Sequence, residues 1–267
     1  MIQIYDYYTG DEIPYTKFRF PGGELQVKID PDFVADDALV IQWLYQSDVE
    51  LMEVALLKDA FSNLGQKVVF LDIPYLPYAR QDRVCSPGEA FALKVFADMV
   101  NTLDFKGVIC SDPHNEDMFH RLFDSAVVEE QSTSCVHKLF ASFERNQYDY
   151  ILFPDAGALK KREQYQARIE DYDLLVAIGS KVRDPATGAL TGFDVDVQDF
   201  KGGNVLVVDD ICDGGGTFLG LGAVIKQRNC GTLSLFTTHG IYSKGMEALE
   251  EMFDGGVYCA YRKLPSI

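Results

Sequence analysis

The sequence predicts an α/β fold made of parallel βαβ units, and three observations carry that prediction. Apolar strand patterns alternate with helical patterns through most of the 267 residues. The segment VLVVDDICDGGGTF at 205–218 runs from an apolar strand through paired carboxylates into a glycine-rich turn that opens a helix. Other predicted strands also end in polar loops rich in Asp, His, Arg or Lys, and open α/β sheets bind ligands at such strand ends.

Taken in order, residues 38–43 read as a strand. Ser47 begins a capping box with Glu50, and Leu51, Val54, Ala55, Leu57 and Phe61 form the apolar stripe of a helix that Gly65 terminates. A strand follows over 67–73, then the loop PYLPYARQDR at 74–83, a helix over 89–103 and a strand over 107–111. The second half repeats the order, with a helix over 132–145, a strand over 150–153, a helix after Asp155, a strand over 174–178 and the strand at 205, from which a helix opens at Phe218. The two halves share no obvious sequence identity. The length suits one large α/β unit or two of about 130 residues. The boundary belongs somewhere over 130–148 and is drawn at 135, giving domains 1–135 and 136–267.

The hydrophobic share of 47% and charged share of 24% are those of a globular chain. No apolar run approaches the ~20 residues needed to cross a bilayer. The N-terminus MIQIYDYYTGDE lacks the basic start and apolar core of a signal peptide, so a cytoplasmic location without a membrane partner is expected. Cys85, Cys110, Cys135, Cys212, Cys230 and Cys259 lie far apart with no CxxC pair, which points to reduced thiols and away from a zinc site. A net charge of −17 argues against a nucleic-acid partner, which needs a clustered basic face. It leaves a nucleotide substrate open, because local Arg and Lys groups with Mg²⁺ can hold a polyphosphate in an acidic protein.

The chemistry concentrates in the loops. Asp209 and Asp210 fall at the carboxyl end of the strand at 205, where adjacent carboxylates can hold two neighbouring ribose hydroxyls. Asp213, Gly214, Gly215, Gly216 and Thr217 present backbone N–H groups at the helix start, and the glycines let the backbone close around an anion. An ordinary turn with solvated acids is the plainer alternative, but three consecutive glycines are conformationally costly unless something must approach them. In the loop at 74–83, Arg80 and Arg83 beside Asp82 suit forked phosphate contacts and Gln81 suits a base edge; a solvated Arg–Asp turn fits as well. SDPHN at 111–115 ends its strand with Asp112 and His114, and PDAG at 154–157 ends its strand with Asp155, residues able to complete a Mg²⁺ or phosphate site. SKVRDPATGA at 180–189 has the composition of a flap on which Lys181 and Arg183 can offset charge in phosphoryl transfer. Taken alone it reads first as an exposed loop with two basic residues. One such loop says little, whereas four at strand ends point to a site for a sugar phosphate.

FPGGE at 20–24, IPYLPYARQDR at 73–83, SDPHN at 111–115, PDAG at 154–157, KVR at 181–183, VVDDICDGGGT at 207–217 and THGIYS at 238–243 occur in one order. In that order the chain resembles the ribose-phosphate pyrophosphokinase (PRPP synthetase) family from about Phe20 onward. The resemblance implies two phosphoribosyltransferase-like domains, each a mainly parallel sheet flanked by helices. It implies transfer of the β,γ-diphosphate of ATP to the 1-hydroxyl of ribose 5-phosphate, with AMP released. Position by position it implies ATP binding by Phe20, Glu24, Arg80, Gln81, Asp82 and His114, and Mg²⁺ binding by His114 and Asp155. Catalysis falls to Lys181 and Arg183, and ribose-phosphate binding to Asp209, Asp210, Asp213, Gly214, Gly215, Gly216 and Thr217. A homo-oligomer is implied as well.

The chain departs from that family's pattern in four places. Most of the strand-helix segment that precedes FPGGE is expected to be missing. Gly22 stands where the family's FSDGE has an aspartate that helps recognise adenine. Val84, Ser86 and Gly88 replace basic residues, which argues against phosphate-sensitive allostery. Gly214 and Gly215 replace the middle of DTAGT or DTCGT, removing a hydroxyl donor and side-chain bulk. A phosphate monoester is a dianion that gains from every donor, while a diester carries less charge and needs room. A 5-substituted acceptor such as ADP-ribose is therefore an alternative to ribose 5-phosphate, beside neutral drift in a loop that works through backbone N–H groups. Two other classes remain. A non-catalytic regulatory subunit has no need to keep Lys181 and Arg183 beside intact Asp209 and Asp210, and a phosphoribosyltransferase that consumes PRPP leaves the segments at 73–83 and 111–115 unexplained.

Overall fold

The computed structural model describes residues 1–33, 38–129, 147–183 and 190–262. The chain divides into two compact units, Met1–Glu129 and Glu130–Lys263. The boundary drawn at 135, the helix expected over 132–145 and residues 184–189 of the expected flap lie outside the described residues.

The first unit holds a sheet in the order β1 (Ile2–Asp6), β4 (Leu39–Trp43), β5 (Val69–Ile73), β6 (Gly107–Ser111) and β7 (Ala126–Glu129). β4 to β7 are parallel, joined by α1 (Glu50–Asn63), α2 (Ala92–Asn101) and α3 (Glu116–Leu122), while β1 runs antiparallel along β4. A strand thus stands at this sheet edge, where the sequence reading expected most of a strand-helix segment to be lost. β2 (Tyr15–Arg19) and β3 (Leu25–Ile29) form a separate antiparallel hairpin. It is tied to α1 by Glu53, which accepts from Tyr15 Oη at 2.6 Å and Lys17 Nζ at 2.8 Å. Only half of the expected capping box forms. Glu50 Oε2 accepts from the Gln46 and Ser47 N–H groups and from Trp43 Nε1, but α1 starts after Val49 with no side-chain cap. Gly65, at φ +85°, ends the helix as expected.

The second unit holds β8 (Tyr150–Phe153), α4 (Ala156–Leu159), α5 (Arg162–Asp171), β9 (Leu175–Arg183), β10 (Leu190–Val195), β11 (Val205–Cys212), α6 (Gly216–Gln227), β12 (Leu233–Gly240), α7 (Glu247–Met252) and β13 (Gly256–Arg262). Its sheet order is β10-β9-β8-β11-β12-β13, parallel except for β10 on β9. Side chains alternate between two cores, as the period of a strand requires. Leu152, Val205 and Val207 pack with Phe218, Leu221 and Ile225 of α6, while Ile151, Phe153, Leu206 and Val208 pack with Ala158, Tyr165 and Ile169.

The chain leaves β8 for β9 on one side and then crosses back to β11 on the other. The gap between β8 and β11 is therefore a topological switch point, the place where open α/β sheets leave a crevice. β11 pairs with β8 only from Val205 to Val207, but continues along β12 as far as Cys212. This lengthens the expected strand. Asp209 and Asp210 lie inside β11 rather than beyond it, and α6 starts at Gly216 rather than at Phe218. Likewise β9 outruns its expected end, so Lys181 sits on a strand opposite Phe193 of β10 rather than in a loop.

Candidate functional site

The expected site residues fall into two groups, one in each unit. In the first unit, Phe20 and Glu24 flank the turn of the β2–β3 hairpin, both exposed, with the Phe20 N–H donating to the Glu24 carbonyl at 2.9 Å. Arg80 and Gln81 are exposed in the loop after β5, and His114 is exposed in the loop after β6. These two loops leave the carboxyl ends of neighbouring parallel strands. Asp82 joins them. It is buried, and its carboxylate accepts from Arg83 Nε at 2.8 Å and from Asn115 Nδ2 at 2.7 Å. The Arg83 guanidinium above all, with Asn115 and His114 adding, outweighs burial and holds the Asp82 carboxyl below its ordinary range. Asp82 thus ties the two loops together. Tyr78 holds the same loop at φ +62°, a costly conformation for a bulky residue, and its hydroxyl donates to Asp48 at 2.6 Å.

In the second unit the switch point gathers three carboxylates and two lysines. Asp155 follows β8 and caps α4, its Oδ1 accepting from the N–H groups of Gly157 at 2.9 Å and Ala158 at 3.1 Å. Its other oxygen, Oδ2, lies 3.1 Å from Lys181 Nζ. Burial pushes the Asp155 carboxyl up, but the Ala158 N–H, Lys181 and the Gly157 N–H together hold it below its ordinary range. Asp210 follows the even-numbered residues of β11 toward α4 and α5, where Lys161 Nζ stands 3.6 Å from its Oδ2. Asp209 faces the opposite electrostatic situation. Burial, then the neighbouring Asp210, and more weakly Asp155, push its carboxyl well above the usual range, although its Oδ1 accepts from the Asp210 N–H at 2.9 Å. Arg183 is the last residue of β9.

The turn after β11 carries Asp213 to Thr217. Gly215 lies at φ +73° and precedes α6, which has no side-chain cap, so the first-turn N–H groups of the helix point outward unclaimed by a capping side chain. Asp213 is braced by Ser243, whose Oγ donates to Asp213 Oδ1 at 2.6 Å and whose N–H donates to the Asp213 carbonyl at 3.2 Å. The structure brings Asp155, Lys181, Asp209 and Asp210 to one crevice and sets the glycine turn at the end of the same strand. It assigns His114 and Asp155, expected as joint Mg²⁺ ligands, to different units. Lys161, Asn115 and Ser243 were not anticipated. The only signal for Lys161 was the basic pair Lys160–Lys161 shortly after a strand-end acid.

A family model for the N-terminal domain of ribose phosphate pyrophosphokinase matches residues 2–103. The ribose-phosphate pyrophosphokinase of Thermococcus kodakarensis is 30% identical over 229 residues, an overlap of 85% of this chain and 78% of that protein. The chain belongs to the ribose-phosphate pyrophosphokinase family. The enzyme of that name from Pyrococcus abyssi is 31% identical over 229 residues, covering 85% of this chain and 76% of its own. Among solved structures, phosphoribosylpyrophosphate synthetase from Mycobacterium smegmatis superposes with a TM-score of 0.73 at 22% identity, over 90% of this chain and 78% of that one. The likeness bears out the expected fold of two phosphoribosyltransferase-like α/β units. Membership in this family of transferases bears out the expected enzyme class. The family match begins at residue 2, within β1, ahead of Phe20 where the resemblance was first legible.

Proposed function

We propose that this chain is a Mg²⁺-dependent pyrophosphokinase that passes the β,γ-diphosphate of ATP to the anomeric 1-hydroxyl of a ribose phosphate, releasing AMP. The observation that carries the reading is the charge arrangement at the switch point, with Lys181 on Asp155 and Lys161 on Asp210 beside the crowded Asp209. A non-catalytic regulatory subunit has no use for such a costly cluster of partly buried charge.

Asp209 and Asp210 hold the neighbouring hydroxyls of the ribose, and the turn at 213–217 receives its 5-phosphate on backbone N–H groups. That fixes the 1-hydroxyl for in-line approach to the β-phosphorus. Lys181 and Arg183 offset the charge that grows on the phosphate oxygens. Arg80, Gln81, Asp82 and His114, with Phe20 and Glu24, bind ATP. Among the described residues no group of three or more His, Cys, Asp or Glu could cage a metal. The hard oxygen donors of Asp155 nonetheless fit Mg²⁺, which typically binds through one or two carboxylates and completes its shell with water and substrate phosphates. Once bound, it would neutralise phosphate charge.

A second reading, in which the acceptor is a 5-substituted ribose phosphate such as ADP-ribose, rests on the open side of the turn at Gly216, where a side chain would meet nothing within 4 Å; the places at Gly214 and Gly215 are taken by the Lys244 stem and by Leu249. One experiment separates the readings: supply ATP and Mg²⁺, offer ribose 5-phosphate and ADP-ribose separately, and measure AMP release and product mass. AMP with either acceptor supports the pyrophosphokinase, and the better acceptor identifies its substrate. AMP with neither favours a regulatory subunit.

A further inference from the structure

Lys244 lies four residues beyond β12, in a loop that reaches the acceptor turn. A side-chain carbon built on Gly214 would stand 3.4 Å from both Cδ and Cε of Lys244. The lysine stem thus covers the place a side chain at Gly214 would take, and its ammonium, one bond beyond Cε, stands at the rim of the turn. Ser243 braces this arrangement through its two hydrogen bonds to Asp213, and Gly245, at φ +81°, turns the chain away behind it. Lys244 is exposed and makes no ion pair among the described residues. In the same unit Lys161, Lys181 and Lys226 each face a carboxylate.

The turn therefore offers no side-chain donor at Gly214, Gly215 or Gly216 and has an exposed cation beside it. A terminal monoester would gather its two charges on one phosphorus, where donors within the turn are the effective ones. A diphosphate ester spreads the same charge over two phosphorus atoms several ångströms apart. The uncapped start of α6 suits the first of these, and the Lys244 ammonium, on a flexible four-carbon stem, suits the second. We propose that Lys244 binds the second phosphate of an acceptor whose ribose 5-oxygen carries a diphosphate ester, as in a nucleoside diphosphoribose. This rests on the assignment of the turn at 213–217 to the acceptor's first phosphate, and it makes Lys244 a specificity-determining residue of that site.

The test compares the wild-type chain with Lys244→Met, which keeps the stem and removes the charge, and with Lys244→Arg, which restores a cation. Calorimetric binding of ADP-ribose and of ribose 5-phosphate is measured without ATP, so that recognition is read apart from turnover. Loss of a charge-assisted contact predicts that Lys244→Met raises the Kd for ADP-ribose about ten-fold or more, that Lys244→Arg recovers most of it, and that the Kd for ribose 5-phosphate changes less than about two-fold. Equal losses for both ligands would overturn the proposal, since the cation would then serve the first phosphate. It is overturned too if neither affinity changes or if the wild type does not bind ADP-ribose. AMP release by the same proteins with ATP and Mg²⁺ is a separate readout: its absence with every acceptor sinks the pyrophosphokinase reading, while the binding ratio still decides the role of Lys244.

Discussion

Lys181 Nζ lies 3.1 Å from Asp155 Oδ2, so the lysine assigned to the transferring diphosphate and the aspartate assigned to Mg²⁺ are each other's partners. The pair spans β9 and the end of β8, strands whose register runs from Tyr150 opposite Leu175 to Phe153 opposite Ile178. On the proposed assignment, a polyphosphate that draws Lys181 away would free a carboxylate oxygen for a cation, so the two binding events are expected to couple through one ion pair.

Lys181→Ala should lower turnover by on the order of 100-fold or more, because a cation acting on developing phosphate charge is lost. Circular dichroism and the unfolding midpoint should change little, since the partly exposed Asp155 keeps its hydrogen bonds from the Gly157 and Ala158 N–H groups. A wild-type rate in this variant would remove Lys181 from the catalytic assignment.

Asp210→Asn should raise the KM for the acceptor by about ten-fold while leaving the KM for ATP within about two-fold, as expected when one acceptor of a charge-assisted hydrogen bond is lost. The change also removes the charge 3.6 Å from Lys161, whose side chain is only 19% exposed. Double substitution with Lys161→Met should therefore recover part of any lost stability, measured by denaturant unfolding.

The Asp209 carboxyl is held above its ordinary range by burial and then by Asp210, so its contribution to stability has a defined sign. Below about pH 4 the group is protonated in both the folded and unfolded chain. As the pH rises past that point the unfolded chain ionises first, and stability is lost until the higher folded value is passed. Asp209→Asn should accordingly unfold at a higher temperature than wild type at pH 7, each kcal/mol being worth about 2–4 °C at this size, with the gap closing toward pH 4. A gap independent of pH would show that the carboxyl is not the source.

A side-chain carbon on Gly179 would approach the Pro154 carbonyl to 2.7 Å and Leu221 Cδ1 to 3.0 Å. Gly179→Ala should push β9 off the end of β8, costing about 1–3 kcal/mol as other overpacked substitutions do. Lys181, two residues on, should lose its alignment with Asp155, so thermal stability and turnover fall together. A fall in neither would mean that the strands do not need this close approach.

Much of this site was legible in the chain because its parts are local. The apolar run before Asp209, the acid pair and the glycines at 214–216 each announce themselves within a few residues, and the order of such segments was enough to indicate the family. What escaped has a common cause. β1 and the β2–β3 hairpin are five-residue strands whose place depends on β4 and α1, so no local period distinguished them. The lengths of β9 and β11 were underestimated because partners β10 and β12, distant in sequence, sustain them past the apolar stretch. The contact of Asp82 with Asn115 escaped because Asn115 comes from another loop.

By itself the sequence determined the alternation of strands and helices, the acids and cations at strand ends, and the glycine turn that opens a helix, all of which follow from residue type and short spacing. Only the tertiary structure decided that Asp210 faces Lys161, that Lys181 meets Asp155, and that Lys244 covers Gly214. These contacts exist because β8 lies beside β11 in the sheet and because the loop after β12 folds back on the turn after β11. Local patterns set what each segment becomes; long-range strand order and side-chain direction set which charges share a crevice.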